Sequence, residues 1–131
     1  MKLYHAHVYY LPEQKAQASD LFQLARLRHQ VDFEVWKFFS EKVGPHALPM
    51  FELHFTSENE RAAVTWLLAN RGLLTVLIHE DTGCDLEDHL ERAYWLGKPL
   101  PLRYEFFEAV KKDPHLAIHL ANTSNLKEHE C

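Results

Sequence analysis

The order of strand-like and helix-like segments is the feature that most constrains the fold of this chain. Residues 3–10 are rich in aromatic and β-favouring side chains that alternate between two faces, and they predict a first strand that stops before Leu11-Pro12. The segment from Pro12 to about His29 predicts an amphipathic helix, because apolar positions recur at helical spacing. The stripe on this helix consists of Leu21, Leu24, Ala25 and Arg28.

Two more strands and a second helix follow. Residues 32–42 and 50–55 again alternate in polarity, and the glycine and prolines between them predict a turn that makes the two strands an antiparallel hairpin. Ser57 followed by Glu60 is a capping-box pattern, which predicts a helix that ends at Gly72 in a left-handed cap. The residues that this helix is expected to bury are Ala63, Trp66 and Leu67.

The last predicted elements complete a recognisable order. Residues 73–79 have a dense apolar centre and predict a fourth strand, and residues 85–96 predict a short acidic helix that ends at Gly97 and Pro99. Strand, helix, strand, strand, helix, strand is the order of the ferredoxin-like split unit. We therefore expect an α+β fold: a four-stranded antiparallel sheet with helices on one face, plus a short C-terminal helical extension. The first and third strands should be central, with the fourth beside the first.

Length and composition predict one domain. A chain of 131 residues with 47% hydrophobic content can bury a single core but has no room for a second. We expect the domain to span residues 1–121. Residues 122–131 are polar enough to form a flexible tail.

Net charge argues against two classes of partner. The 14 Lys and Arg against 19 Asp and Glu give a formal charge of -5, which repels phosphate backbones and anionic lipid headgroups. We therefore expect neither nucleic acid nor a membrane as a partner. No apolar run approaches the roughly 20 residues of a membrane span.

The cysteines and the first residues favour a cytoplasmic location. The two cysteines, Cys84 and Cys131, do not form the framework of a small secreted domain. Residues 1–5 enter the strand pattern at once and do not resemble a signal segment. Acidic residues surround Cys84 in the sequence, a setting that does not favour a thiolate nucleophile.

Ten histidines in the chain suggest a site, because several of them share one side of the predicted sheet. If Ala6 and Val8 face the helices, His5 and His7 face the other side. The same alternation places His54 with Glu52, and His79 with Leu77, on that side. We call this side the histidine face. His46, in the hairpin turn, and His89, after the fourth strand, could both lie at its rim.

Each of these residues also has a simpler interpretation. A lone histidine on a sheet is more often structural or exposed than a ligand. His54 could instead lie in a dimer interface, and Glu52 could orient a neighbouring imidazole. We expect no special role for His29, His115, His119 and His129, core positions for Tyr4, Trp36, Phe51 and Trp66, and a charged first helical turn from Asp85, Glu87 and Asp88.

Four short motifs resemble the DOPA 4,5-dioxygenase family of fungi and bacteria, and the resemblance runs from about residue 3 to residue 107. The motifs, in order, are His5-Ala6-His7-Val8-Tyr9-Tyr10, Gly44-Pro45-His46-Ala47-Leu48-Pro49-Met50-Phe51-Glu52, Leu77-Ile78-His79-Glu80-Asp81-Thr82-Gly83, and Asp88-His89 with Trp95-Leu96-Gly97-Lys98-Pro99-Leu100-Pro101-Leu102. Four motifs in the right order are far more specific than any one of them. In two places the chain departs from the family pattern, with Ala47 and Glu80 standing where prolines are expected.

The resemblance implies a ferredoxin-like fold and extradiol cleavage of a catechol by O2 at a non-haem metal, normally Fe(II), with Zn possible in its place. Fungal members act on DOPA and supply betalain-type or muscaflavin pigments. The family's motif histidines correspond here to His5, His7, His46, His79 and His89. The two departures lie beside site positions, so they bear on the substrate more than on the fold.

An open site with about three protein ligands leaves room for two catecholate oxygens and O2. Our hypothesis is that His7, His79 and either His46 or Glu52 bind the metal. His5 or His89 would then act as general base and acid for the catechol proton. The expected walls of the substrate pocket are Tyr9, Met50 and Leu77.

Two rival functions use the same residues. The first is a non-catalytic metal-binding or small-molecule-binding module that dimerises through the histidine face. Several imidazoles and a carboxylate are costly to bury in an interface without partners, which argues against it. The second is a zinc-dependent hydrolase or isomerase with a metal-activated water. Whatever the function, we expect a homodimer, from the fold and its exposed sheet face.

Overall fold

The structure is a computed structural model, and it describes residues 1–103. Its strands are β1 (Leu3–Tyr9), β2 (Glu34–Phe38), β3 (Met50–Thr56), β4 (Val76–Glu80) and β5 (Ala93–Leu96). Its helices are α1 (Lys15–Arg26), preceded by a 3-10 turn at Pro12–Gln14, α2 (Glu60–Asn70) and α3 (Asp85–Leu90). The predicted C-terminal helical extension and the tail, with His115, His119 and His129, lie outside the described residues.

The five strands form one antiparallel sheet in the order β2-β3-β1-β4-β5. The predicted α+β class and the position of the fourth strand beside the first are therefore confirmed. β1 is central and pairs with β3 on one side and β4 on the other. Residues from both neighbours can consequently meet on the surface of β1.

The fifth strand corrects the prediction of a helix over residues 85–96. α3 ends at Leu90, and β5 pairs with β4 so that Leu77 lies opposite Trp95 and His79 opposite Ala93. Tyr94 and Trp95 favour strands, and pairing with β4 satisfies the backbone groups that a continued helix would have satisfied internally.

Alternation along the strands produces a core on the helix side of the sheet. Ala6 and Val8 of β1 are fully buried there. Two of the helices pack on the same side, α1 through Ala18 and Leu21 and α2 through Leu67. The remaining strand residues of this cluster are Phe51, Leu53, Phe55, Val76 and Ile78. This facing is the one predicted from the polarity pattern.

Helix ends and two side chains differ from the predictions. α2 begins at Glu60 after Asn59, so Ser57 is not its cap, and the Ser57 hydroxyl instead accepts the Lys2 backbone N–H at 3.2 Å. Gly72 ends the helix with φ +57°, as predicted. Trp66 is only partly buried, and Leu24 is 43% exposed.

The histidine face is partly covered by loops. Tyr9, Met50 and Leu77 form a second apolar cluster on this side with Phe39 and Leu102. The loop before β3 and the segment after β5 meet over this cluster, where His46 bridges to Leu102 and the Arg103 N–H donates to the Pro45 carbonyl at 2.6 Å. Within residues 1–103, none of the helices combines the length and apolar character needed to cross a bilayer.

Candidate metal centre

Three elements and one loop bring the motif histidines together. His5 and His7 project from β1, and β1 places His5 directly opposite His79 of β4. The hairpin loop contributes His46, and α3 contributes His89. All five are buried, with exposures between 1% for His7 and 6% for His89. The predicted convergence of these side chains is therefore present in the structure.

Two overlapping groups of imidazoles have the spacing of metal ligands. One is His5, His7 and His79, and the other is His7, His46 and His89; in each, the ligand atoms lie within 4.8 Å of one another. Nitrogen ligands lie about 2.1 Å from an ion such as zinc, so three of them around it are roughly 3 to 4 Å apart. Either group needs only small adjustments to hold one ion.

The arrangement of His7 and His79 is suited to binding a cation. Their Nε2 atoms are 2.8 Å apart, while His79 Nδ1 lies 2.9 Å from the Glu80 carbonyl and His7 Nδ1 lies 3.3 Å from Glu52 Oε1. A carbonyl oxygen only accepts hydrogen bonds, so His79 Nδ1 carries the single proton of its neutral ring and its Nε2 is a bare lone pair. The contact of His7 Nδ1 with Glu52 lacks the geometry of a hydrogen bond, but the adjacent carboxylate favours the His7 proton on Nδ1. Two Nε2 lone pairs then face each other, a repulsive arrangement that a metal ion would turn into two bonds.

His5 also has an acceptor beside one ring nitrogen, but this nitrogen is Nε2, whereas in His7 and His79 it is Nδ1. Its Nε2 lies 3.2 Å from Asp81 Oδ2, and its buried Nδ1 has no hydrogen-bond partner among residues 1–103. Imidazoles that bind metals usually present their second nitrogen to a carboxylate or a carbonyl. His5, His7 and His79 all have such an acceptor.

Glu52 lies behind His7 rather than among the candidate ligand atoms. It is fully buried, and its second oxygen, Oε2, lies 3.1 Å from His54 Nε2. The carboxylate therefore joins His7 to His54. This position matches the orienting interpretation of Glu52 more closely than the ligand interpretation.

His46 and His89 have different second partners. His89 Nδ1 donates to the Asp85 carbonyl at 2.8 Å, within its own helix. His46 Nδ1 lies 2.7 Å from the Tyr9 hydroxyl. The rings of His79 and His89 are 4.1 Å apart between centroids, so α3 lies on the histidine side of the sheet and not with the other two helices.

Burial keeps these imidazoles neutral. It lowers the pKa of His7, His46 and His79 well below 6.5, and the charges of neighbouring imidazoles lower each pKa further. Burial also lowers the pKa of His54 and of His89 to about 4, although hydrogen bonds to Glu52 and to Asp85 oppose the shift. Neutral imidazole is the form that binds metals.

An aromatic stack extends from His5 to the surface, and the sequence did not predict it. The His5 and His54 rings are 3.9 Å apart and nearly parallel at 7°, and the Trp36 ring stacks on His54 at 4.4 Å. Trp36 is 44% exposed, so its predicted core position is wrong. It alternates with Val35, which packs on the core, and that alternation could have placed it on the histidine face.

Asp88 has a structural role that the sequence does not reveal. The sequence predicts a charged first helical turn here and gives no sign of burial, but Asp88 is fully buried. Its carboxylate accepts the Thr82 N–H at 2.8 Å, the Thr82 hydroxyl at 2.6 Å and Arg92 Nε–H at 2.7 Å. These bonds fix the turn between β4 and α3, and they thereby hold His89 near His79.

The predicted pocket residues lie next to the imidazoles. Tyr9, Met50 and Leu77 are each at most 1% exposed and belong to the second apolar cluster. Tyr9 stacks on Trp95, with ring centroids 5.9 Å apart. An apolar wall therefore lies on one side of the histidines, and the stack of His54 and Trp36 begins at the other.

Known proteins resemble this chain over most of the described region. It is 33% identical over 119 residues to an uncharacterized 21.2 kDa protein of Botryotinia fuckeliana, covering 83% of this chain. It is 30% identical over 109 residues to the DOPA 4,5-dioxygenase of Amanita muscaria, covering 78% of this chain. The chain spans 65% and 48% of the lengths of these two relatives.

A solved structure and a family model agree with these relatives. The crystal structure of a proposed dioxygenase from Nostoc punctiforme superposes with a TM-score of 0.76 at 29% identity, covering 84% of this chain and 94% of that one. Residues 4–106 match the model of the Dopa 4,5-dioxygenase family. On the strength of this match, the chain belongs to the Dopa 4,5-dioxygenase family.

Proposed function

We propose that this protein is an extradiol dioxygenase that opens the ring of a catechol with O2 at a histidine-bound metal. The observation that carries the proposal is the pair of neutral imidazoles, His7 and His79, whose Nε2 atoms face each other at 2.8 Å. Membership of a dioxygenase family supports the reaction class. The substrate class follows from the DOPA 4,5-dioxygenase of Amanita muscaria, which this chain resembles.

The metal would be held by His5, His7 and His79. All three ligand atoms lie within 4.8 Å of one another, and each ring has an acceptor beside its other nitrogen. This set replaces the third ligand of the sequence-based hypothesis, His46 or Glu52, with His5. Imidazoles suit Fe and Zn alike, and we propose Fe(II) because O2 chemistry needs a redox-active ion. Such an ion, when bound, supplies the Lewis acidity and the redox capacity for reaction of a catecholate with O2.

The surrounding residues have separate tasks in this proposal. His89 is neutral at pH 7, and its Nδ1–H is donated to the Asp85 carbonyl, so its Nε2 carries the lone pair that can take a catechol proton and return it. Glu52 and Asp81 orient His7 and His5, and their negative charges balance that of a cation. Met50 and Leu77 would contact the apolar face of the catechol ring and exclude water.

The partners in this proposal are a small catechol and O2. The homodimer stays a prediction, and light scattering coupled to gel filtration measures it directly.

Reconstitution tests the function. The metal-free protein is loaded anaerobically with Fe(II), mixed with DOPA, protocatechuate or caffeate, and then given O2. We expect O2 uptake together with a yellow ring-cleavage product. His7→Ala should lose both the iron and the O2 uptake, whereas His29→Ala, a change at an exposed histidine, should retain both.

The rival functions predict other outcomes. A metal-binding module would hold one equivalent of metal and consume no O2 with any catechol. A zinc hydrolase would be active with Zn and indifferent to O2. Either outcome would overturn the dioxygenase proposal.

A further inference from the structure

The hydrogen bond between Tyr9 and His46 distinguishes His46 from the other imidazoles of the centre. The Tyr9 hydroxyl oxygen lies 2.7 Å from His46 Nδ1, and both side chains are at most 2% exposed. Among residues 1–103, His46 is the hydrogen-bond partner of this hydroxyl. Each group therefore determines where the other keeps its proton.

The proton of this bond belongs to Tyr9. The Tyr9 hydroxyl is buried, and a buried donor without an acceptor is costly, so the hydroxyl must donate its proton to a neighbouring acceptor. The available acceptor is His46 Nδ1. A ring nitrogen that accepts a hydrogen bond carries no proton, so the one proton of a neutral His46 imidazole is on Nε2.

The other imidazoles show the opposite arrangement. His7 and His79 have acceptors beside Nδ1, and His5 has one beside Nε2, so each of these rings keeps a bare nitrogen for a metal. His46 has a donor beside its second nitrogen instead. If it offers an N–H to the centre, it repels a cation and attracts an anion.

We propose that Tyr9 fixes His46 as an Nε2–H hydrogen-bond donor, so that His46 holds an oxyanion of the bound substrate and does not ligate the metal. This inference rests on the proposed function, because the oxyanion is that of a metal-bound catecholate. His46 is then a catalytic residue that contacts the substrate, and Tyr9 is a positioning residue. The His46 and His7 rings are 4.2 Å apart between centroids, which places His46 beside the proposed ligands.

Such a donor matters most where negative charge is held. A preorganised N–H in a dry site stabilises an oxyanion without reorganisation, and loss of one such donor typically lowers kcat about 100- to 1000-fold. Tyr9→Phe removes only the hydroxyl. It frees His46 to exchange tautomers, so part of the donor character should be lost with the imidazole still in place.

Metal binding without substrate is the first test. His46→Ala and Tyr9→Phe should each retain one equivalent of Co(II) with the visible absorption spectrum of the wild type. His79→Ala should lose the ion. Loss of Co(II) from His46→Ala, or a changed Co(II) spectrum in folded His46→Ala, would identify His46 as a ligand and overturn the proposal.

Catechol binding without O2 is the second test. We use 4-nitrocatechol, whose colour reports its ionisation, with the Co(II)-loaded protein. His46→Ala and Tyr9→Phe should weaken binding of the anion by about 10-fold or more, and the double variant should be no weaker than His46→Ala, because the two residues act as one unit. Equal affinity in wild type and Tyr9→Phe, or additive losses in the double variant, would overturn the proposal.

A neighbouring tyrosine provides a matched control. The Tyr10 hydroxyl donates to the Phe39 carbonyl at 2.6 Å, and the Tyr10 side chain packs in the core on the opposite side of the sheet. Tyr10→Phe also loses one buried hydrogen bond but should bind 4-nitrocatechol like the wild type. If His46→Ala does not fold, His46→Gln tests the same point: it keeps an N–H donor and should bind 4-nitrocatechol more tightly than His46→Leu.

These readouts separate the two proposals. Metal content and 4-nitrocatechol binding require no ring cleavage. If no catechol supports O2 uptake, the proposed function is wrong. A specific loss of catecholate binding in Tyr9→Phe would still support the role of His46 in that case.

Discussion

Glu52 is the residue whose burial most needs explanation, since a fully buried carboxylate is costly unless it is paired. Its oxygens lie 3.3 Å from His7 Nδ1 and 3.1 Å from His54 Nε2. The carboxylate therefore holds the His7 ring so that Nε2 points away from it. In a metal-loaded protein it also makes His7 a stronger ligand.

Glu52→Gln should weaken metal binding by about 10- to 100-fold while leaving one equivalent bound at saturation. The amide keeps the size of the side chain but lacks the charge that orients His7. Competition with a chromophoric chelator measures the affinity. Glu34→Gln, an exposed change on β2 opposite His54, is the control, and an affinity of Glu52→Gln equal to that of the control would contradict the orienting role.

The strand residues of the centre could be predicted from the sequence, whereas the partners Asp81 and Tyr9 could not. Alternation alone places His5, His7 and His79 on one face, because side chains on a strand change sides at every residue. Asp81 lies in the turn after β4, and the contact of Tyr9 with His46 depends on the path of a loop. No helical or strand periodicity in the sequence relates these residues to the histidines that they contact.

At the scale of elements, local signals predicted the end of α2 but not its start, and the start of α3 but not its end. Gly72 ends α2 with φ +57°, as its sequence position indicates, but the Ser57 capping box is not used. β5 was missed because Asp85 and its neighbours begin a real helix, and nothing local shows that it ends at Leu90. Pairing with β4 determines that residues 93–96 form a strand, and such pairing is a tertiary effect.

Gly72→Ala should destabilise the fold by about 1–2 kcal/mol, because an L side chain is strained at this left-handed backbone position. A Cβ at Gly72 would also lie 2.6 Å from Gln17 Nε2, which must move. Urea unfolding followed by far-UV circular dichroism measures the change. Gly72→Asn should lose less stability than Gly72→Ala, since asparagine tolerates the left-handed region. A Gly72→Ala protein as stable as the wild type would show that the position is not strained.

At the scale of the whole molecule, the imidazoles whose pKa is lowered by burial make the metal-free fold sensitive to acid; they are those of His7, His46, His54, His79 and His89. In the unfolded chain a histidine titrates near 6.5, whereas burial lowers the pKa of His54 and of His89 to about 4 in the folded state. Between these values the unfolded chain binds more protons than the folded one. The contribution of these histidines to the stability of the fold is therefore fully present above pH 6.5, and it is lost as the pH falls towards 4.

The melting temperature of the metal-free protein should consequently fall steadily from pH 7 to pH 5. Each such histidine contributes a slope of about 1.4 kcal/mol per pH unit over the range where the unfolded chain is protonated and the fold is not. His89→Asn should have a shallower dependence, because it removes one of these groups. A melting temperature that does not change between pH 7 and pH 5 would contradict the buried neutral state.

The sheet assembles the centre from distant parts of the chain, since His7 and His79 are 72 positions apart. No short peptide can reproduce such a site, so metal binding should depend on the whole fold and should raise its stability by mass action. The sequence predicted this assembly because the order of strands was readable. It did not predict the loops that cover part of the histidine face.

The stack of Trp36 on His54, and of His54 on His5, also has an optical consequence. Indole emission responds to the charge and to the electronic state of a ring in van der Waals contact with it. Trp36 is 44% exposed, while Trp66 packs against the core on the opposite side of the sheet. Trp36 against His54 and Trp95 against Tyr9 therefore act as intrinsic fluorophores on the histidine face, and occupancy of the centre can be followed by light without any attached label.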